Sequence, residues 1–292
     1  MAVPELSEIL EELRAGRAVP YLGPGVLSDV RDAESGEPMP ADSDGLILAM
    51  NNGRMMSQRL MYEFPRAAMH IEQRRGRVFV DHFLTHTYGK RQWTRAAVHD
   101  WLASLRPEYV VDINRDTQLL DNYADTPHIL IKGTARIMGS DYRFKLFQYD
   151  GNDYREVGLE EANWAGPILF KPLGGPLPEP DYIASDADFV DYITELMGGF
   201  AIPDFLKGYR KGLKYVFLGM RFTRDTERMV MSDIIYGSDN PAGWALIPEP
   251  TDKERRFCDR QGIEILEIDT NTLLDADPAY CANEPQLSEV GC

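Results

Sequence analysis

Short apolar stretches that run into glycine, asparagine or aspartate recur along this chain, separated by segments with helical spacing. That alternation constrains the fold more than any other feature. "AVPYLGPG" breaks at Gly23 and Gly25, "YVVDINRD" reaches Asn114 and Asp116, and "PILFKPLGG" reaches Gly174 and Gly175. "KYVFLGMRFTRD" passes Gly219 on its way to Asp225, and "IEILEID" ends at Asp269. Strands alternating with helices predict a mostly parallel sheet with helices on its faces, a Rossmann-like α/β architecture. In such a sheet ligands bind in the crevice beyond the carboxyl ends of the strands, with phosphates against helix N-termini. The residues that end these strands therefore point to one cleft.

A chain of 292 residues, 43% hydrophobic, has enough apolar material for one large core carrying an inserted subdomain. The expected organisation is a single domain over residues 1–292 with a helical insertion over 46–105. The first segment, "ELSEILEELRAGR", spaces Leu6, Ile9, Leu10 and Leu13 as one helix face and stops near Gly16. "RDAESGEPMPADSDG" is a polar loop. In the insertion, methionine, arginine, histidine and aromatic residues replace the strand signals.

Charge and cysteine usage exclude several classes of function. A net charge of −16 opposes nonspecific binding to nucleic acid or to anionic lipid. No run of eighteen apolar residues is present, and the N-terminus carries glutamates and arginines where a secretory signal needs an apolar stretch, so a cytoplasmic protein is expected. Cys258, Cys281 and Cys292 are odd in number and form no CxxC pair, which argues against a disulfide framework and against zinc. His82 and His86 share a helix face at metal-ligand spacing, but no HExxH pattern accompanies them, and a packed or solvated face is the plainer reading. His70 and His99 read as structural. Met50, Met55, Met56, Met61 and Met69 form a methionine-rich run, read first as core packing and second as an adaptable groove for a protein partner. Homo-oligomerisation is left open by all of these features.

A single glycine after a strand is far more often a tight turn than a ligand contact; the order of these motifs carries more weight. Neither GxGxxG nor GxxxxGK[ST] is present, so an ordinary Rossmann dehydrogenase or P-loop enzyme is not expected. Taken together, "VPYLGPGVLS", "LRPEYVVDINRDTQLLD", "PILFKPLGGPLPEPDYIASDADFVDYI", "LKYVFLGMRFTRD" and "GIEILEID" resemble, in order, segments of the SIR2-like proteins. They match the glycine-rich first loop, the TTNxD-type segment, the K-L-H-G turn with its following helix, the GxSxxD segment and the last strand. SIR2-like proteins are divergent bacterial relatives of sirtuins, and the likeness covers nearly the whole chain.

What the resemblance implies is an NAD or related adenine-nucleotide site roofed by the helical insertion, without zinc. Gly23, Pro24, Gly25 and Val26 would present the first loop to the pyrophosphate, Gly23 to Gly25 through their backbone amides. Asn114 and Asp116 would flank the nicotinamide-side ribose and would be the catalytic pair if the chain turns anything over. Gly174 would keep the K-L-H-G turn. Gly219, Arg221 and Asp225 would serve the adenosine side, and Asp269 would end the last strand near the adenine ribose. The departures are chemical. Leu173 stands where the family has its catalytic histidine, the general base on a ribose hydroxyl, and leucine has no ionisable group. Ile113, Pro24, Leu27 and Met220 also replace family residues. Two functions follow: a catalytically degenerate SIR2-like module that binds a nucleotide or a protein, or an NAD hydrolase or deacylase with a non-standard base. The loss of the imidazole favours the first.

Overall fold

The computed structural model describes residues 3–135 and 142–281; Cys292 lies outside them, as do residues 136–138, the end of the segment "HILIKGTARIM" whose apolar run predicts a strand. Among the described residues eleven strands follow one another: β1 (Ala18–Leu22), β2 (Tyr109–Asp112), β3 (His128–Gly133), β4 (Phe144–Tyr149), β5 (Tyr154–Val157) and β6 (Ile168–Lys171), then β7 (Gly174–Gly175), β8 (Asp181–Tyr182), β9 (Lys214–Leu218), β10 (Gly243–Leu246) and β11 (Ile263–Leu266). Nine of them form one sheet in the order β11-β10-β9-β1-β2-β6-β3-β4-β5. The ladders from β11 through β3 are parallel. The mostly parallel α/β architecture expected from the sequence is therefore present.

The sheet departs from a purely parallel one at its β4–β5 edge. A tight turn at Asp150–Asp153, with Asp150 Oδ1 accepting from the amides of Asn152 and Asp153 at 2.9 Å, joins β4 directly to β5. A connection that short permits only antiparallel pairing, and β3, β4 and β5 pair antiparallel in succession.

The central strands are buried on both faces, which is why they read as unbroken apolar runs rather than as alternating ones. Successive side chains feed two cores. Leu22, Val110, Leu130, Leu169, Val216 and Leu218 join the helix Val3–Arg14 and the helices between β1 and β2. Tyr21, Val111, Ile131, Phe170, Tyr215 and Phe217 join the helices Asp186–Gly198, Asp204–Tyr209 and Asp225–Ile234 on the other face. Pro20 has no amide hydrogen to donate, and the ladder between β1 and β2 begins only at Tyr21.

Between β1 and β2 the chain forms a short 3-10 turn at Pro24–Leu27 and four α-helices, Ser43–Met50, Phe64–Arg75, Arg77–Gly89 and Ala97–Leu105. Met50 is buried, and Met56 and Met61 pack partly against the same core. Met55 is exposed, so the methionine-rich run is part core and part surface. Trp101 of the fourth helix is fully buried, and its indole donates to Asp277 at 2.9 Å, tying that helix to the end of the described chain.

Candidate functional site

The connection out of β1 leads to β2 on one side of it, whereas β9 pairs with the opposite edge of β1 and leads on to β10 and β11. The strand order thus reverses between β1 and β9. That switch point is where an open α/β sheet leaves a crevice at its carboxyl edge.

Two glycine loops close this junction backbone to backbone. The Gly23 amide donates to Leu218 O at 2.9 Å, and the Gly25 amide donates to Gly219 O at 2.8 Å. Gly219 has φ +63°, and a Cβ on it would lie 2.3 Å from Val26 N; one on Gly25 would lie 2.8 Å from Gly219 O. The first loop, expected to face a pyrophosphate, thus meets another backbone in this structure. The amides of Gly25 and Val26 are already engaged, the second with Gly23 O at 3.2 Å, and the glycines serve the approach of two loops.

Three contiguous hollows run over the strand ends from this junction. An inner slot is lined by Pro24, Phe64, Asn114, Arg115, Leu173 and Glu227, with Ser43, Glu63 and Tyr88 from the segment between β1 and β2. Its free volume is about 40 Å³, room for only a few water molecules. A middle hollow of about 200 Å³ is lined by Gly25, Asp42, Gly219, Arg221, Arg224 and Glu227. An outer hollow of about 220 Å³ is lined by Gly25, Val26, Gly219, Arg221, Asp269 and Thr270. Pro24, Ser43, Arg224 and Glu227 border both slot and middle hollow, and Gly25, Gly219 and Arg221 border both middle and outer hollows.

Asn114 is built into the floor. Its side-chain amide donates to Gly23 O at 3.0 Å, and its backbone amide donates to Asp112 Oδ1 at 2.9 Å. Beneath it, the Lys171 ammonium sits 2.5 Å from Asp112 Oδ2, with both side chains fully buried. Burial pushes the Asp112 carboxyl up to about 6, against the pull of Lys171. Lys171, which the resemblance aligns with the lysine of K-L-H-G, thus holds a buried carboxylate rather than facing a ligand. The following turn is structural as well: Gly174 pairs with Tyr182 in the β7–β8 ladder, where a Cβ on Gly174 would lie 2.2 Å from Asp181 O. Leu173 is the member of this turn that reaches the slot.

The other expected site residues divide. Asp116 is buried and faces a separate hollow with Met39, Arg91 and Arg95; its Oδ1 accepts from the Gln118 amide at 2.8 Å. The pairing of Asn114 with Asp116 around one ribose is therefore not what the backbone delivers, because the segment between β2 and the helix Gln118–Asn122 turns them apart. Arg221 lines the cleft but is bidentate on the buried carboxylate of Glu254, at 2.7 and 3.0 Å. Asp225 lies outside, pairing with Arg228 and lining an outer groove with Met229 and Lys253. Asp269 borders the outer hollow and caps the helix Thr270–Asp275, accepting from the Asn271 amide at 2.8 Å.

His82 and His86 stack on an exposed face of Arg77–Gly89 with ring centroids 6.4 Å apart and line none of these hollows, so they do not stand over the cleft. Among the described residues no group of three or more histidines, cysteines and carboxylates is placed to hold a metal ion. His99 is fully buried, and its Nδ1 lies 3.4 Å from the Asn122 side-chain nitrogen.

Arg115, Glu63, Arg224 and Glu227 were not legible as cleft residues. Arg115 donates to Ile183 O at 2.6 Å while its Nε has no partner, and its guanidinium lies 5.3 Å from the Phe64 ring centroid. Arg224 donates to Tyr62 O and pairs with Asp44 at 3.2 Å. Burial raises Glu227 to about 7, opposed by the charges of Arg224 and Arg115 and reinforced by those of Glu63 and Asp42.

The fold and the junction define an α/β protein with a switch-point cleft flanked by arginines. No protein-family model matches the chain, and no curated protein is significantly similar to it.

Proposed function

We propose that the cleft at the β1–β9 junction holds NAD or a related adenine nucleotide, and that the chain is a catalytically degenerate SIR2-like module that binds without turnover. The observation that carries this reading is the run of hollows across the strand switch point, with Arg221 and Arg224 beside two glycine-ended parallel strands. The phosphates of the ligand would lie against the guanidinium of Arg224, whose present partners are a carbonyl and the exposed Asp44. The base and its ribose would extend toward Asp269 and Thr270.

The slot at the other end argues against cleavage of a nicotinamide glycoside by the family's route. Leu173 stands where the family's histidine would be, Ile113 adds a second apolar wall, and the slot's volume is far smaller than that of the other two hollows.

Calorimetric titration with ADP-ribose, NAD and ATP tests the reading. Saturable heat is expected for at least one of them, weakened by Arg224→Ala. Incubation with NAD should release no nicotinamide above background, because general-base assistance contributes about 10²- to 10⁴-fold and its usual donor is replaced by Leu173. Absence of heat with all three ligands would remove the nucleotide. Nicotinamide release that is lost in Asn114→Ala would instead make the chain an NAD-cleaving enzyme.

A further inference from the structure

Glu227 is an acid that the fold has left without work. It is the third residue of the helix Asp225–Ile234, a position from which a glutamate ordinarily reaches back to the amides that open the helix. Here its carboxyl makes no such bond, and Glu63, arriving from the segment between β1 and β2, covers the first two amides of the helix instead. Its Oε1 accepts from the amides of Asp225 and Thr226 at 2.6 and 3.3 Å.

Other acids of the cleft are likewise engaged. Asp42 caps the helix Ser43–Met50, Asp44 pairs with Arg224, and Asp269 caps Thr270–Asp275. The Glu227 side chain makes no hydrogen bond and no ion pair with any described residue. Its side chain borders both the inner slot and the middle hollow, so a ligand in either would meet it. A half-buried carboxyl without a partner lowers stability.

We propose that the Glu227 carboxylate is a specificity-determining residue that accepts hydrogen bonds from vicinal hydroxyls of a ribose bound in the cleft. This rests on the nucleotide reading above. Two carboxylate oxygens match two adjacent hydroxyl donors. The arginines on either side, Arg115 and Arg224, argue against a cationic ligand at the same point and leave room for the phosphates of a nucleotide.

The charged groups facing Glu227 come from separate parts of the chain: Arg224 before its own helix, Arg115 after β2, Glu63 ahead of Phe64–Arg75, and Asp42 ahead of Ser43–Met50. The arginines favour its ionised form, and the two acids and burial oppose it. Its folded value, about 7, is above the ordinary glutamate value, so ionisation costs stability, and the cost appears as pH rises through the interval between the two. A ligand that donates to the carboxylate binds the ionised form, so affinity should rise with pH over the same range.

Calorimetry with ADP-ribose between pH 6 and pH 8 reads this directly, using the intact chain and Glu227→Gln. The unchanged protein should bind about tenfold more tightly at pH 8 than at pH 6, following the ionised fraction. Glu227→Gln should bind weakly with a flat profile and should melt at a higher temperature than the unchanged protein at pH 8, since the charge it removes is an unpartnered one. Binding that Glu227→Gln leaves unaltered in strength and pH profile would overturn the assignment of Glu227 alone. So would a variant that melts lower at pH 8, which would mark Glu227 as structural. No binding by the unchanged protein at any pH would sink the nucleotide reading and this inference together.

Discussion

Replacing Lys171 with methionine is expected to lower stability by about 3–5 kcal/mol, because it strands a carboxylate in the core. Asp112 and Lys171 are both fully buried and lie 2.5 Å apart. The loss should spread to the cleft. Asp112 Oδ1 also holds the backbone of Asn114, and Asn114 in turn holds Gly23 O, so the floor of the slot hangs on one ion pair. The effect has a sign in pH. With Lys171 in place, burial already pushes Asp112 up to about 6. Without the ammonium it rises further, so at pH 5 the folded carboxyl is protonated and neutral and the destabilisation should be smaller than at pH 8. The double variant Asp112→Asn with Lys171→Met removes both charges and should recover much of the loss. Chemical denaturation of the unchanged protein and the two variants at the two pH values checks this. A loss below about 1 kcal/mol for Lys171→Met would mean that the pair contributes little.

Gly219→Ala is expected to cost about 3 kcal/mol or more and to abolish ligand binding, since two penalties coincide there. The residue has φ +63°, where an alanine is strained, and the added Cβ would lie 2.3 Å from Val26 N and 2.7 Å from Gly25 C. Nothing flexible is available to yield, because both contacts are backbone. Gly212→Ala is the matched control: its φ is +74°, but no atom lies within 4 Å of a Cβ there. It should show the backbone penalty alone, of order 1 kcal/mol. Thermal melts separate the two; equal losses would show that the β1–β9 junction is loosely packed.

How much of this was legible in the sequence depends on whether the signal is local. Strands such as β6 and β9, buried on both faces, announce themselves as unbroken apolar runs, so the α/β class could be read directly. Gly23, Gly25 and Gly219 were legible as glycines that must be glycines, but the backbone they pack against was not. The atoms they avoid belong to loops distant in the chain, and a motif at the end of a strand looks the same whether it admits a phosphate or another backbone. Asn114 and Asp116 are two residues apart and were read as one site, yet they open on different hollows because the backbone between them is irregular. Glu227 was invisible for a different reason. A first-turn glutamate is ordinary, and only the folded chain brings it to the border of two hollows. Leu173 is the opposite case, a residue whose chemical silence could be read from one letter and whose place in the slot could not.

The most direct test of the nucleotide cleft is backbone hydrogen exchange of the whole chain with and without a large excess of ADP-ribose. Slower exchange is expected in peptides covering Gly219–Glu227 and those around Ser43 and Thr270, which border the middle and outer hollows. Peptides around Met197 and Phe257, which line the outer groove, should exchange unchanged. Exchange that is unaltered everywhere, or slowed only at that outer groove, would contradict a nucleotide site at the β1–β9 junction.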